Sequence, residues 1–417
     1  MQVIQWIVTK RIDLQESLCR KEAVLQRLLN YSLRIMSRQE TGKTEANRDA
    51  TDPLSLSALL SQTLVAFTIE CDNEMERLVP HRTTRGGGSR TAPWLVSHAL
   101  WANFLRFVGH GGTTVGELDE NLRVTGGVRI WLERMENWWG YVTVVPDPAD
   151  TRQNPPRSAW RVKPTAGGAR ACDVWERLGE KTEARWRQRF GADSIDRLRA
   201  ALIPIVEGSS IELPAYMPIV GYGLFSEIRP IPLSGDLNPG SEVADLSVLL
   251  SRALLLFTLA FEERSDVSLS ISSNLLRVLR ATPLRMRDLP DITGVSKESI
   301  EMAVVWLNTK RYTLVDTDLK SGRTKRIRLT ESGLLAQERY LSLLAEIETD
   351  WRTRYGTQAI DALYHTLEPL VGQGEQTSPL FACIEPEPEC WRAKARPPQT
   401  LPWQPMVLHR GGYPDGA

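Results

Sequence analysis

Apolar residues recur every three or four positions along much of this chain, and the clearest stripe lies in residues 296–309. Ile300, Ala303, Val304 and Leu307 fall at i, i+3, i+4 and i+7, one face of a 3.6-residue period, and Ser296 stands where its hydroxyl can cap the first turn. The pattern predicts an amphipathic helix with that face buried. Beyond it, Arg311-Tyr312-Thr313-Leu314-Val315 and Thr324-Lys325-Arg326-Ile327-Arg328-Leu329 flank a Ser321-Gly322 tip, which predicts a hairpin with cations on one arm. Upstream, Asn274-Leu275-Leu276-Arg277-Val278-Leu279 predicts a first helix, and Arg287-Asp288-Leu289-Pro290 leads into a short apolar segment around Ile292. Leu329-Thr330-Glu331-Ser332-Gly333 then starts a long helix.

Sliding the chain on itself exposes a duplication. Leu56-Ser57-Ala58-Leu59-Leu60-Ser61, then Leu64, Phe67 and Thr68, recurs as Leu246-Ser247-Val248-Leu249-Leu250-Ser251, then Leu254, Phe257 and Thr258. Trp186-Arg187-Gln188-Arg189-Phe190-Gly191, then Ile195, Leu198, Leu202 and Pro204, recurs as Trp351-Arg352-Thr353-Arg354-Tyr355-Gly356, then Ile360, Leu363, Leu367 and Pro369. Between these anchors Val128, Trp131, Leu132 and Met135 repeat the helical stripe, and residues 162–168 match 327–333. The offset falls from 172 at the helix to 165 after the hairpin, so the first hairpin is seven residues longer, with Pro146, Pro148, Pro155 and Pro156 predicting a looser loop.

Helix, short helix, capped helix, basic hairpin is the order of a winged helix-turn-helix. The residues resemble the multiple-antibiotic-resistance-regulator (MarR) family of bacterial transcription factors over about one third of the chain. Gly294-Val295-Ser296 matches the opening of the recognition helix, Gly322-Arg323-Thr324-Lys325-Arg326 the wing, and residues 329–333 the start of the next helix. The expected fold is mainly α with small β-hairpin wings, as two tandem winged helix-turn-helix repeats. The resemblance implies a transcription regulator that binds double-stranded DNA, with a small aromatic effector between the closing helices and the winged unit. Family dimers form by interleaving flanking helices from two chains; here one chain owns both sets, which implies a monomeric pseudo-dimer.

The expected domains are an N-terminal arm at 1–53, a first repeat with its linker segment at 54–222, a second repeat at 240–372 and an extended tail at 373–417. The arm reads as an arm, a partner-binding helix or an overextended start with Met36 as the other candidate. The linker phrase Leu213-Pro214-Ala215-Tyr216-Met217-Pro218 returns in the tail as Leu401-Pro402-Trp403-Gln404-Pro405-Met406, and such Pro-flanked apolar segments are expected to lie across a neighbouring groove.

Composition adds restraint. The 51 basic and 51 acidic residues cancel, so whole-chain charge selects no partner. Locally, residues 271–330 carry twelve cations against six carboxylates, whereas residues 101–165 carry eight against seven. The second repeat therefore reads as the DNA reader and the first as a weaker one. The residues assigned to DNA are Arg285, Arg287, Ser296, Lys297, Glu298, Glu301, Lys320, Arg323, Thr324, Lys325, Arg326 and Arg328. Glu298 and Glu301 temper this, since they place carboxylates on the outward face of the recognition helix. The rival reading is a winged helix kept as a non-enzymatic protein-interaction scaffold.

Gly42-Lys43-Thr44 lacks the first glycine of a phosphate loop, because Ser37 stands five residues before Gly42. His81, His98, His110, His365 and His409 have no metal-ligand spacing, and no Gly-x-Ser-x-Gly elbow exists, so neither enzyme nor cofactor is expected. The basic loop at residues 81–88 reads as flexible, with an anion nest as the alternative. Thirteen tryptophans read first as helix-packing core and second as an aromatic effector pocket. Five cysteines without a CxxC pair, no secretory signal and no long apolar span place the chain in the cytoplasm.

Overall fold

Ser55 and the leucine-rich run after it open the helix on which the rest is stacked. The Ser55 hydroxyl accepts from the Ala58 amide, and 20 of the 23 residues of α1 (Leu56–Leu78) are buried, so this helix is covered all round. The computed structural model describes residues 54–79, 96–122, 127–210, 213, 216, 245–317, 324–372, 378–388, 390, 393 and 399–405. The chain divides into two units, Met1–Pro53 and Leu54–Ala417, and the arm and its Gly42-Lys43-Thr44 triplet lie outside the described residues, as does the basic loop at 81–88.

After α1 come α2 (His98–Asn103), β1 (Thr113–Thr114), α3 (Val115–Asn121), α4 (Gly127–Asn137), β2 (Val142–Val145), β3 (Arg161–Pro164), α5 (Ala166–Trp175), α6 (Leu178–Phe190) and α7 (Ala192–Glu207). The order then returns: α8 (Leu246–Glu262), α9 (Leu269–Leu276), β4 (Leu284–Arg285), α10 (Leu289–Thr293), α11 (Lys297–Thr309), β5 (Thr313–Thr317), β6 (Lys325–Leu329), α12 (Glu331–Tyr355) and α13 (Thr357–Val371), with a short α14 (Phe381–Ile384) after it. The architecture is mainly helical with two small antiparallel sheets. In each, the last strand is central, in the orders β1-β3-β2 and β4-β6-β5.

Local chemistry repeats along with the order. Thr165 and Thr330 each cap the helix after the sheet, accepting from Gly168 and Gly333 at 3.0 Å. Their hydroxyls donate back to the Gly140 and Arg311 carbonyls at 2.7 and 2.8 Å. Gly140 and Arg311 both have positive φ, +63° and +60°, a conformation that suits glycine and strains arginine. Gly168 and Gly333 let the helix settle on the hairpin: a Cβ would meet the Tyr141 or Tyr312 carbonyl oxygen at 2.0 Å. Phe67 meets Trp186 edge-on at 5.1 Å, and Phe257 meets Trp351 at 5.3 Å. At the foot of each opening helix a carboxylate caps the next helix. Asp72 accepts from the His98 amide at 2.6 Å and Glu262 from the Leu269 amide at 2.8 Å.

Corresponding helices also pack on each other: α1 on α8, α7 on α13, and reciprocally α7 on α8 and α13 on α1. Polar ties cross the same seam. Glu348 on α12 accepts from the Leu56 amide at 2.8 Å, and Arg354 donates to the Gly208 carbonyl at 2.9 Å. One apolar core runs through both halves, from Leu60 and Phe67 to Leu250 and Phe257.

Three features differ from what the periodicity predicts. Strands β1 and β4 add a third strand to each hairpin. The closing helix of the first half is interrupted after Trp175, whereas α12 runs unbroken through 25 residues. The proline-bearing loop between β2 and β3 is not loose. Asp147 and Asp150 accept from the amides of Ala149 and Arg152 at 3.0 Å, the Arg157 guanidinium lies over the Trp160 ring at 5.1 Å, and a 3-10 turn at Arg157–Ala159 lies against α3. Of the tail phrase, Leu401 and Gln404 are buried, and its backbone is bonded by Ser61 of α1 and Asn274 of α9.

The matched glycines give a test of the helix-on-hairpin seat. Gly168→Ala and Gly333→Ala should each destabilise the protein by about 2–3 kcal/mol, since backbone must move to admit the methyl. Arg311→Gly should be neutral or stabilising. Urea midpoints measure all three, and a harmless Gly333→Ala refutes the close seat.

Candidate nucleic-acid interface

The second half places its assigned residues on two neighbouring surfaces. Gly294, at φ +75°, closes α10 by donating its amide to the Pro290 carbonyl at 3.0 Å, and Ser296 then caps α11 by accepting from the Ser299 amide at 3.2 Å. The Ser296 hydroxyl is thereby engaged in the fold. Ile300, Ala303, Val304 and Leu307 are buried as the stripe predicts. Lys297, Glu298, Glu301 and Val305 face outward, and Lys297 lies 3.6 Å from Glu301. Val305 is 67% exposed, so the outward face of α11 is apolar and acidic with a compensated lysine.

The sheet carries the cations. Register sets Arg285 of β4 opposite Arg326 of β6, and Asp316 of β5 opposite Arg326 on the other side. Residues two apart on a strand share a face, so Arg285, Arg326 and Arg328 lie on one surface while Ile327 and Leu329 point into the core. Arg328 reaches Asp316 at 3.8 Å. Two like charges directly across a ladder repel, and Asp316 stands on the far side of Arg326. Arg285 and Lys325 are exposed, Arg326, Arg328 and Thr324 half-buried. Arg287 is exposed and 3.4 Å from Asp288. Lys320 and Arg323 lie outside the described residues.

Arg277 belongs to the same local charge excess but serves the fold: its guanidinium donates to the Ile292 and Thr293 carbonyls at 3.0 and 3.1 Å, tying α9 to the end of α10. In the first half Arg161 and Lys163 occupy β3, and the loop cation Arg152 is held by Asp150 at 2.9 Å. Arg134 stacks over Trp131 and Trp138 at 5.0 and 5.4 Å. Two cations flanking the first sheet, Arg152 in its loop and Arg134 on α4, are thus engaged by a carboxylate and by tryptophan rings.

The first-half aromatics pack on one another. Trp101 stacks on Trp175 at 6.4 Å and tilts against Tyr141 at 5.5 Å, and His98 meets Tyr216 edge-on at 5.5 Å. Tyr216, from the linker phrase, is fully buried with its hydroxyl against Thr68. Burial pushes the His98 imidazole down to about 4. Burial raises the Cys172 thiol to about 11 and Cys383 to about 12, the opposite of an activated nucleophile. Among the described residues no His/Cys/Asp/Glu cluster is arranged to hold a metal, and no helix is long and apolar enough to cross a membrane. No family model, no curated protein and no solved structure matches the chain.

Burial of neutral His98 dictates a pH dependence. The unfolded chain takes up this proton near pH 6.5 and the folded protein only near 4, so stability present above about pH 6.5 is lost as pH falls through that window. The loss attached to this group is roughly 3 kcal/mol. His98→Gln should flatten the urea-midpoint profile between pH 4 and 6.5. An unchanged slope would mean that His98 is not the titrating group.

Proposed function

We propose that this chain is a DNA-binding transcription regulator in which two tandem winged helix-turn-helix units form an intramolecular pseudo-dimer and the second unit supplies most of the affinity. The reading rests on one observation above the others: Arg285 and Arg326 face each other across the β4–β6 ladder with Arg328 on the same surface, beside the capped helix α11. A phosphate over that pair relieves their repulsion and gains charge-assisted hydrogen bonds. The reciprocal packing of α1, α7, α8 and α13 supports the pseudo-dimer, since a two-fold dimer needs the same patch from each partner and this chain supplies it twice.

A second reading has its own observation. The outward face of α11, with Glu298, Glu301 and exposed Val305, suits a protein partner at least as well as a phosphate backbone. On that reading the chain is a non-enzymatic scaffold that keeps the fold.

The two readings separate in a salt titration of full-length protein on duplex DNA. Replacing Lys325, Arg326 and Arg328 with alanine should weaken binding on every sequence alike and lower the salt slope by roughly two to three units. Replacing Arg161 and Lys163 should do much less. Equal losses from both sets would show that the charge asymmetry has been misread, and absence of salt-sensitive binding in the parent protein favours the scaffold.

Light scattering tests the pseudo-dimer. A single-chain mass at low micromolar concentration is expected, and an obligate homodimer there would mean that the seam between the halves is not self-sufficient.

A further inference from the structure

Residues 400–405 cross from the first half to the helix-turn-helix of the second. On α1, Ser61 donates its hydroxyl to the Pro402 carbonyl at 3.0 Å, and Gln62 reaches the Leu401 carbonyl at 3.5 Å. On α9, the Asn274 carboxamide binds in both directions. Its oxygen accepts from the Trp403 and Gln404 amides at 2.8 and 3.4 Å, and its nitrogen donates to the Gln404 carbonyl at 2.8 Å. The Trp403 ring lies 5.0 Å from the Arg277 guanidinium, which also holds the carbonyls at the end of α10. At Gly294 the two backbones approach so closely that a Cβ would sit 2.2 Å from the Thr400 carbonyl oxygen. One segment therefore touches α1, α9 and the turn that leads into α11.

Its seat is incompletely satisfied. Gln404 is fully buried, yet neither its amide oxygen nor its amide nitrogen has a hydrogen-bond partner. A buried carboxamide left this way opposes its own burial, because both atoms would be hydrated in water. The residue in the corresponding place of the linker phrase, Tyr216, is equally buried but has Thr68 as a partner. The first phrase is closed by a hydrogen bond where the second is not.

We infer that residues 400–405 form a releasable latch that couples α1 of the first half to the turn ahead of α11, with Gln404 keeping it releasable. Release detaches the Gly294 turn from α1 and leaves α11 held by its own half alone. The coupling stands whether α11 docks on DNA or on protein.

Hydrogen exchange on the full-length protein tests this without reference to any ligand. Asn274→Ala removes the main anchor and should speed exchange at Trp403, Gln404 and the first turn of α11 by about tenfold or more, with α8 unchanged. Gln404→Met, of similar length without the stranded amide, should slow the same sites. The latch is overturned if Asn274→Ala speeds α8 equally or changes nothing, because the segment is then ordinary core or not coupled. It is equally overturned if Gln404→Met speeds exchange or leaves it as it was, since the glutamine amide is then served in its seat.

Discussion

Leu60, Leu64 and Phe67 on α1 and their counterparts Leu250, Leu254 and Phe257 on α8 are all buried, and the two helices lie against each other. Either half alone has one face to offer such a helix, and a helix apolar on more than one side then needs a second neighbour. Here each opening helix finds it in the other half, with α7 and α13 closing the remaining sides. Separating the halves would open this seam over the length of both helices, so neither half is an independent domain in the energetic sense. A change in one half is consequently felt by the other through packed side chains that have little room to relax.

The seam is not symmetric. Glu70 on α1 is buried and accepts from Arg185, Trp186 and Arg189 at 2.8, 2.7 and 3.1 Å, and Arg189 also lies 3.1 Å from the Cys383 sulfur of α14. The corresponding position on α8 is Ala260, so Trp351 has no such carboxylate there. Buried charges of this kind hold only as a set, because removing one partner strands the others in a low dielectric. The first half thus ties its closing helix to α1 by ionic contacts and reaches α14 through the Arg189–Cys383 hydrogen bond, and the second relies on apolar packing around Phe257 and Trp351. Together with the pinned loop and the engaged Arg134 and Arg152, this makes the first half the more internally committed of the two.

How much of this was legible in the sequence depended on the range of the interaction. The buried stripe of α11 and the caps at Ser296 and Thr330 are local, and they stand where periodicity and capping chemistry put them. Strands β1 and β4 are two residues long and carry no period; they exist because β3 and β6 present an edge to them. The interruption after Trp175 has no breaker residue, and the loop before β3 is fixed by aspartate turns and Trp160, contacts that a count of prolines does not reveal. At the site, composition gave the excess of cations, but register decided which of them share a face with Arg285. Arg277 belonged to the same excess and turned out to be a staple, and nothing in the sequence marked Asn274 as the anchor for Trp403 and Gln404 or Gly294 as the place where Thr400 comes close.

The acidic outward face of α11 and the basic face of its sheet make sense together if they meet different parts of one duplex. Phosphates line the edges of a groove and base edges its floor, so cations on β4 and β6 and carboxylates on α11 need not oppose each other. A carboxylate in the major groove can accept from the cytosine amine and is repelled by the acceptors of guanine and thymine. Glu298 and Glu301 would therefore lower affinity for most sequences and preserve it for few. That is discrimination by penalty rather than by added attraction, and it needs an independent source of binding energy to be tolerable. On the DNA-binding reading proposed above, the arginines opposed across the β4–β6 ladder would be such a source, and the acidic helix and the basic sheet then need not be competing signs of function.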